Sequence, residues 1–132
     1  LNPELVKLPK IMDLRGNLSF VEEETQLPFR IRRVYWIYDV PGGEKRGGHA
    51  FRETEEMIVA LSGSFDVVLN DGVQEQRFSL NRSYYGVYIP KMMWRMLENF
   101  STNSLALIIA STDYSKHEYI YDFEMFRKLK MQ

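Results

Sequence analysis

The sequence contains no cysteine, which excludes a disulfide scaffold, a thiolate nucleophile and every Cys-ligated zinc or iron–sulfur site. Long hydrophobic runs are absent too. The longest, Leu105 to Ala110, falls far short of the roughly 20 residues a membrane helix needs. Neither sign of charge dominates: 17 Lys and Arg face 18 Asp and Glu, for a formal charge of −1. No basic field therefore invites nucleic acid or a membrane surface. The start, Leu1-Asn2-Pro3-Glu4, lacks the charged-then-apolar order of a signal peptide, so a cytoplasmic protein is expected. What is abundant is aromatic: eight Phe, eight Tyr and two Trp in 132 residues, more than a small core requires. The length predicts one domain spanning residues 1–132, since single domains commonly hold about 100–150 residues.

Short β-type runs follow one another from residue 30 onward. Val34 to Tyr38 is aromatic and β-branched, and Met57–Leu61 and Phe65–Leu69 flank the turn signal Ser62-Gly63-Ser64. Asn70-Asp71-Gly72 carries the Asp-Gly hairpin signature before Gln74 to Leu80. Tyr84–Ile89, Met93–Leu97 and Leu105–Ala110 complete the series. Many short strands at this spacing predict an all-β sandwich or barrel. The Gly-rich stretch Pro41–Gly48 lies between two strand-like runs and reads as a loop within one domain. A strand pair is expected around Arg15-Gly16-Asn17. Only the C-terminus reads as a short helix: Tyr119, Phe123, Phe126 and Leu129 lie three or four apart, and Arg127, Lys128 and Lys130 suit its negative end.

One arrangement is more specific than composition. Gly43, His49, Phe51, Glu56 and Gly63 resemble in spacing the first motif of the cupins, which reads Gly, His-x-His, Glu, Gly. Pro90, Arg95 and Asn99 have the spacing of the second, with Arg95 where a metal-binding His would stand. This implies a cupin-like double-stranded β-helix, a jelly-roll barrel with the short C-terminal helix appended. Strand alternation puts His49 and Phe51 on one face, aimed into that barrel. A transition-metal site there needs three or four N or O ligands, yet Phe51 offers none and a guanidinium cannot deprotonate. No metal and no cofactor are therefore expected. Met57, Ile58 and Val67 read as core; His117 reads as ordinary surface. Arg30, Arg32 and Arg33 lie close to Glu22, Glu23 and Glu24, and read as a solvated or paired surface. Small residues beside Arg46 and His49 allow close approach of a ligand.

Ordered matches along nearly the whole chain resemble the sugar 3,4-ketoisomerase family, cupins acting on dTDP-4-oxo-6-deoxyglucose. They run from Asp13-x-Arg15-Gly16-x-Leu18 and Glu22-Glu23 through Arg32-Arg33-Val34-Tyr35 to Arg46-Gly47-x-His49-Ala50. They continue with Leu61-x-Gly63-Ser64, Leu69-x-Asp71-Gly72, Gly86-x-Tyr88-Ile89-Pro90, Trp94, Asn99-Phe100-Ser101, Ala110-Ser111 and Tyr119-Ile120. The resemblance implies a homodimer with exchanged N-terminal strands and a metal-free site in each barrel. It implies conversion of a dTDP-linked 4-keto-6-deoxy sugar to its 3-keto isomer through an enediol. By position, His49 is the expected base and Arg46 an oxyanion or phosphate contact. Tyr35, Tyr38 and Trp94 are expected walls or hydrogen-bonding groups, with Arg15 close to the sugar. Phe51 and Arg95 join the expected binding set, Arg95 because a guanidinium fork suits phosphate oxygens. The chain departs from the family at Phe51, where a second His is usual. Two readings follow: an isomerase that uses His49 with a tyrosine hydroxyl or water, or a nucleotide-sugar-binding protein that has lost the chemistry. A plain interaction barrel filled by Phe51 is a third.

Overall fold

The computed structural model describes residues 2–132. Its chain is almost entirely β-structure. β1 (Glu4–Lys7) opens it, and β2 (Lys10–Ile11) and β3 (Leu18–Ser19) form the expected hairpin around Arg15. Then come β4 (Arg33–Ile37), β5 (Arg46–Phe51), β6 (Glu56–Ser62), β7 (Phe65–Asn70) and β8 (Glu75–Leu80). β9 (Tyr85–Ile89), β10 (Trp94–Glu98), β11 (Leu105–Ala110) and β12 (Tyr119–Ile120) follow, and α1 (Phe123–Lys130) ends the chain.

Two five-stranded antiparallel sheets pack face to face, ordered β1-β9-β6-β11-β4 and β12-β5-β10-β7-β8. Apart from the β7–β8 hairpin, neighbours in each sheet are distant in sequence, the mark of a jelly roll. Alternation explains the three apolar clusters. Inward residues such as Ile58, Val67, Val87, Leu97 and Ile108 fill the space between the sheets. The outward residues Met57, Val59, Tyr88 and Ile109 of the first sheet pack under Leu8, Leu27 and Phe29. On the other side Ala50 and Ile120 pack against Phe126 of α1.

One expectation needs correction. Tyr119 is not the first residue of the helical stripe: Tyr119 and Ile120 pair with Phe51 and Ala50 of β5 as a strand. The helix begins after Asp122, whose side chain accepts hydrogen bonds from the N–H groups of Glu124 and Met125. That cap overrides an apolar spacing that would have extended the helix backward. β1 is paired along Glu4–Lys7 with β9 of the same chain. Only the hairpin β2–β3 pairs with nothing but itself. Among the described residues no helix is long and apolar enough to cross a membrane.

Candidate active site

The sheets meet at one margin where edge strand β4 faces β5 and edge strand β12. Here His49 on β5 pairs in register with Arg95 on β10. The ladder then slips, so that Leu97 pairs with Arg46. Cross-strand partners share a face, and Arg95 and Leu97 both point inward. The bulge therefore brings Arg46 onto the face of His49, which strict alternation would forbid for residues at this separation. Gly47 makes it possible: its φ of +78° suits glycine, and a Cβ there would fall on the Arg95 guanidinium.

Arg95 is only 1% exposed, and its charge is met from the opposite sheet. Its Nε donates to Glu56 Oε1 at 2.5 Å and its Nη2 donates to the Tyr35 hydroxyl at 2.9 Å. That hydroxyl in turn donates to the other carboxylate oxygen of Glu56. Three groups from β4, β6 and β10 thus close a ring in which a buried cation and a buried anion satisfy each other. Burial pushes the Tyr35 phenol well above its ordinary value, against the pull of Arg95. Burial would depress the ionisation of Arg95, but the Glu56 charge outweighs it and holds the guanidinium protonated.

His49 is the one imidazole in this interior and is 7% exposed. Phe51 meets it edge-on at 4.7 Å between ring centroids, and Tyr119 lies 4.9 Å away. Its Nε2 is buried without a hydrogen-bond partner. Burial first, then the positive charges of Arg95 and Arg33, lower its pKa to about 3. At neutral pH the ring is uncharged, with an unengaged nitrogen, in a positive field. A neutral base beside a fixed cation can take a carbon-bound proton while the cation holds the negative charge that develops.

Of the expected site residues, the fold brings His49, Phe51, Tyr35 and Arg95 together and places Arg46 on their face. Arg95, the expected phosphate fork, instead turns its Nε to Glu56, its Nη2 to Tyr35 and its Nη1 to the Gly47 carbonyl at 3.4 Å. Trp94 is not a wall of the site. It sits next to Arg95 on the strand and so faces outward, against Phe123 and Phe126 of the C-terminal helix. Tyr38 follows Ile37 at the far end of β4 and is 62% exposed. Arg15, at the tip of the β2–β3 hairpin, is ion-paired to Asp13 in solvent and does not reach His49 of its own chain. His117 is exposed, as expected.

The expected set omitted residues that the structure gathers here. Arg33 is not surface: its guanidinium stacks over Tyr35 at 5.0 Å and Tyr114 at 5.6 Å, with Nε buried and unpartnered. Counting by twos along β4 from Tyr35 would have found it. Glu56 lay in the motif spacing but without a partner in view. Tyr119 and Tyr121, stacked at 5.4 Å, had no signal beyond their own alternation. Among the described residues no three His, Asp or Glu side chains converge as a metal-ligand group. Glu56, the carboxylate nearest to such a role, is committed to Arg95.

The family model FdtA (WxcM-like, C-terminal) matches residues 1–131. The TDP-4-oxo-6-deoxy-alpha-D-glucose-3,4-oxoisomerase of Aneurinibacillus thermoaerophilus is 36% identical over 125 residues, 95% of this chain and 90% of that protein. The crystal structure of a 3,4-ketoisomerase from Helicobacter canadensis superposes with a TM-score of 0.96 at 36% identity, covering 100% of this chain and 99% of that one. A variant of the 3,4-ketoisomerase of Thermoanaerobacterium thermosaccharolyticum, in complex with TDP-4-keto-6-deoxyglucose, superposes at 0.94 with 29% identity, covering 98% and 94%.

Proposed function

From a chain that belongs to the FdtA family (WxcM-like, C-terminal), we propose an enzyme that converts a TDP-linked 4-keto-6-deoxy sugar into its 3-keto isomer. It is a sugar-nucleotide 3,4-ketoisomerase-like protein, and isomerisation is favoured over binding without chemistry because its relatives are isomerases. The observation that carries the mechanism is the neutral His49 with its free Nε2 beside an Arg95 locked by Glu56 and Tyr35. His49 takes the hydrogen at C3 of the sugar as a proton. The C3–H electron pair becomes the C3–C4 double bond, and the C4 oxygen becomes the enediolate oxygen. Burial is what chiefly holds His49 neutral; the positive charges of Arg95 and Arg33 that add to it also stabilise this oxygen, and they are fixed before the reaction starts. No metal or cofactor enters these steps.

Arg46, exposed and on the same face, is positioned for the diphosphate at the opening. Calorimetry should show TDP binding that weakens in Arg46→Ala. We place the protein in the cytoplasm as one domain working in a homodimer. An apolar groove on the outer face of the first sheet is lined by Phe20, Val21, Ile31, Val34, Leu61 and Leu107, and Trp36 beside it is 58% exposed. A second copy covering this face would bury it and offer the β2–β3 hairpin, with Arg15, to the neighbouring barrel. Light scattering at micromolar concentration should give twice the chain mass; a monomer rejects this part.

The test of the reaction is nuclear magnetic resonance with TDP-4-keto-6-deoxyglucose in D₂O. Native protein should form 3-keto product and exchange the C3 hydrogen. His49→Asn should lose both while retaining TDP affinity, since a base contributes to the transition state more than to binding. Exchange that survives in His49→Asn overturns the role of His49.

A further inference from the structure

Moving a carbonyl between adjacent carbons takes two hydrogen transfers, not one. The hydrogen on C3 must reach C4, and the hydroxyl hydrogen on O3 must reach O4. The first belongs to His49 on the reading above, on which this inference rests. The second needs a group that both gives and accepts a proton, which a hydroxyl does and a guanidinium does not. Phe51 has no such group. The Tyr35 hydroxyl is engaged twice, giving its hydrogen to Glu56 and accepting one from Arg95.

Tyr119 remains. It pairs across the ladder with Phe51, so both rings project from one face of the sheet, and the centroids lie 4.7 Å apart. Its ring is also 4.9 Å from His49. Among the described residues its hydroxyl has no hydrogen-bond partner, and the ring is half-buried. Its position is held from both directions along the chain. Before it, the Glu118 carboxylate accepts from the N–H groups of Glu53 and Thr54 at 2.6 and 2.7 Å and from the Thr54 hydroxyl at 2.8 Å. After it, Ile120 is fully buried against Ala50 and Phe126. Tyr121 stacks on the outer side of the ring at 12° between planes. So many anchors for a strand of two residues fix a side chain in place, as a proton carrier requires.

We propose that the Tyr119 hydroxyl carries the proton from O3 to O4 of the sugar while His49 moves the carbon-bound hydrogen. Tyr119 gives its proton to the enediolate oxygen at C4 and recovers one from the hydroxyl at C3. The enediol then closes to the C3 carbonyl, and C4 takes the proton held on His49. Every proton given up is returned, no electrons leave the sugar, and no co-reactant is needed.

The experiment separates the two transfers. In Tyr119→Phe, which keeps the packed ring, deuterium from D₂O should still enter C3 of TDP-4-keto-6-deoxyglucose within about threefold of the native rate. Formation of 3-keto product should fall about 10²–10⁴-fold, the usual weight of one acid–base group. TDP affinity, read by calorimetry, should be unchanged. Adding Phe51→His to Tyr119→Phe should raise product formation again, because an imidazole at the register partner can also give and accept a proton. Product formation within threefold of native in Tyr119→Phe overturns the proposal. Loss of exchange and product together also overturns it, since Tyr119 would then only position His49. A native protein that neither exchanges nor isomerises overturns the isomerase reading itself, and so tells the two failures apart.

Discussion

The two ends of the barrel interior are built from the same strands, yet they obey different rules. Along β4 the inward residues run Arg33, Tyr35, Ile37; along β6 they run Glu56, Ile58, Ala60; along β10 they run Arg95, Leu97. The ladders align them in layers: Ala110 of β11 lies between Arg33 and Glu56, Ile108 between Tyr35 and Ile58, and Ala106 between Ile37 and Ala60. One end is a dry apolar core, where the hydrophobic effect and close packing determine stability. The other is a ring of charges and aromatic edges. Its attraction is largely offset by the cost of removing Arg95 and Glu56 from water. One end makes the barrel stable; the other makes it capable of chemistry, and a step of two residues along a strand separates them.

The largest effect should come from breaking the charged end. Arg95→Leu leaves Glu56 buried without its cation and should cost about 3–5 kcal/mol in urea unfolding. Glu56→Leu combined with Arg95→Leu should recover most of that stability, while ketoisomerisation stays lost. If the single variant is as stable as native protein, the ring is not what holds the two sheets in register at this end.

Leu97→Ala probes the same strand two residues on. Leu97 is fully buried, so its truncation should cost about 2–5 kcal/mol through lost burial and a residual cavity. Turnover by the remaining folded protein should be close to native. A large loss of turnover at full folding would erase the distinction between the ends.

Gly47 lies on the border. Gly47→Ala forces a side chain into a left-handed conformation against Arg95 and should cost roughly 1–3 kcal/mol. It should also lower TDP affinity, because the bulge that turns Arg46 onto the site face is disturbed. Unchanged affinity would show that Arg46 does not touch the nucleotide.

The most gradual effect is a slope with pH. His49 has a folded pKa of about 3, below its ordinary value near 6.5. As pH falls through that window the unfolded chain takes up a proton that the folded chain refuses. Stability contributed at neutral pH is therefore lost on acidification, by at most about 1.4 kcal/mol per pH unit from this residue. His49→Asn should flatten that part of the stability profile between about pH 6.5 and pH 4. The acid limb of kcat/KM should fall below about pH 5 and not near 6.5. An inflection near 6.5 belonging to His49 would mean that its surroundings are wetter than the fold implies.

Local order was readable from the residues in turn. Alternation and turn chemistry suffice for Val34–Ile37, Met57–Leu61 and Phe65–Leu69, and for the hairpin at Asp71-Gly72, because a strand's faces repeat every two residues. The His49 and Glu56 spacing marked the barrel interior, and Phe51 and Arg95 argued against a metal on the chemistry of their side chains alone. Partners could not be read this way. Tyr35, Glu56 and Arg95 meet only because the sheet holding β4 and β6 packs onto the sheet holding β10. That meeting turned Arg95 from an expected phosphate contact into a buried, neutralised cation. Trp94 went outward and Arg33 inward because parity along a strand assigns faces only after the strand's first inward residue is known. Tyr119 left the helix stripe because Asp122 caps α1 and β5 offers an open edge. Sequence determines what each residue can do and which of its neighbours share its face. Only the tertiary structure decided which charge neutralises which, because in a low-dielectric interior that depends on distances between residues far apart in the chain.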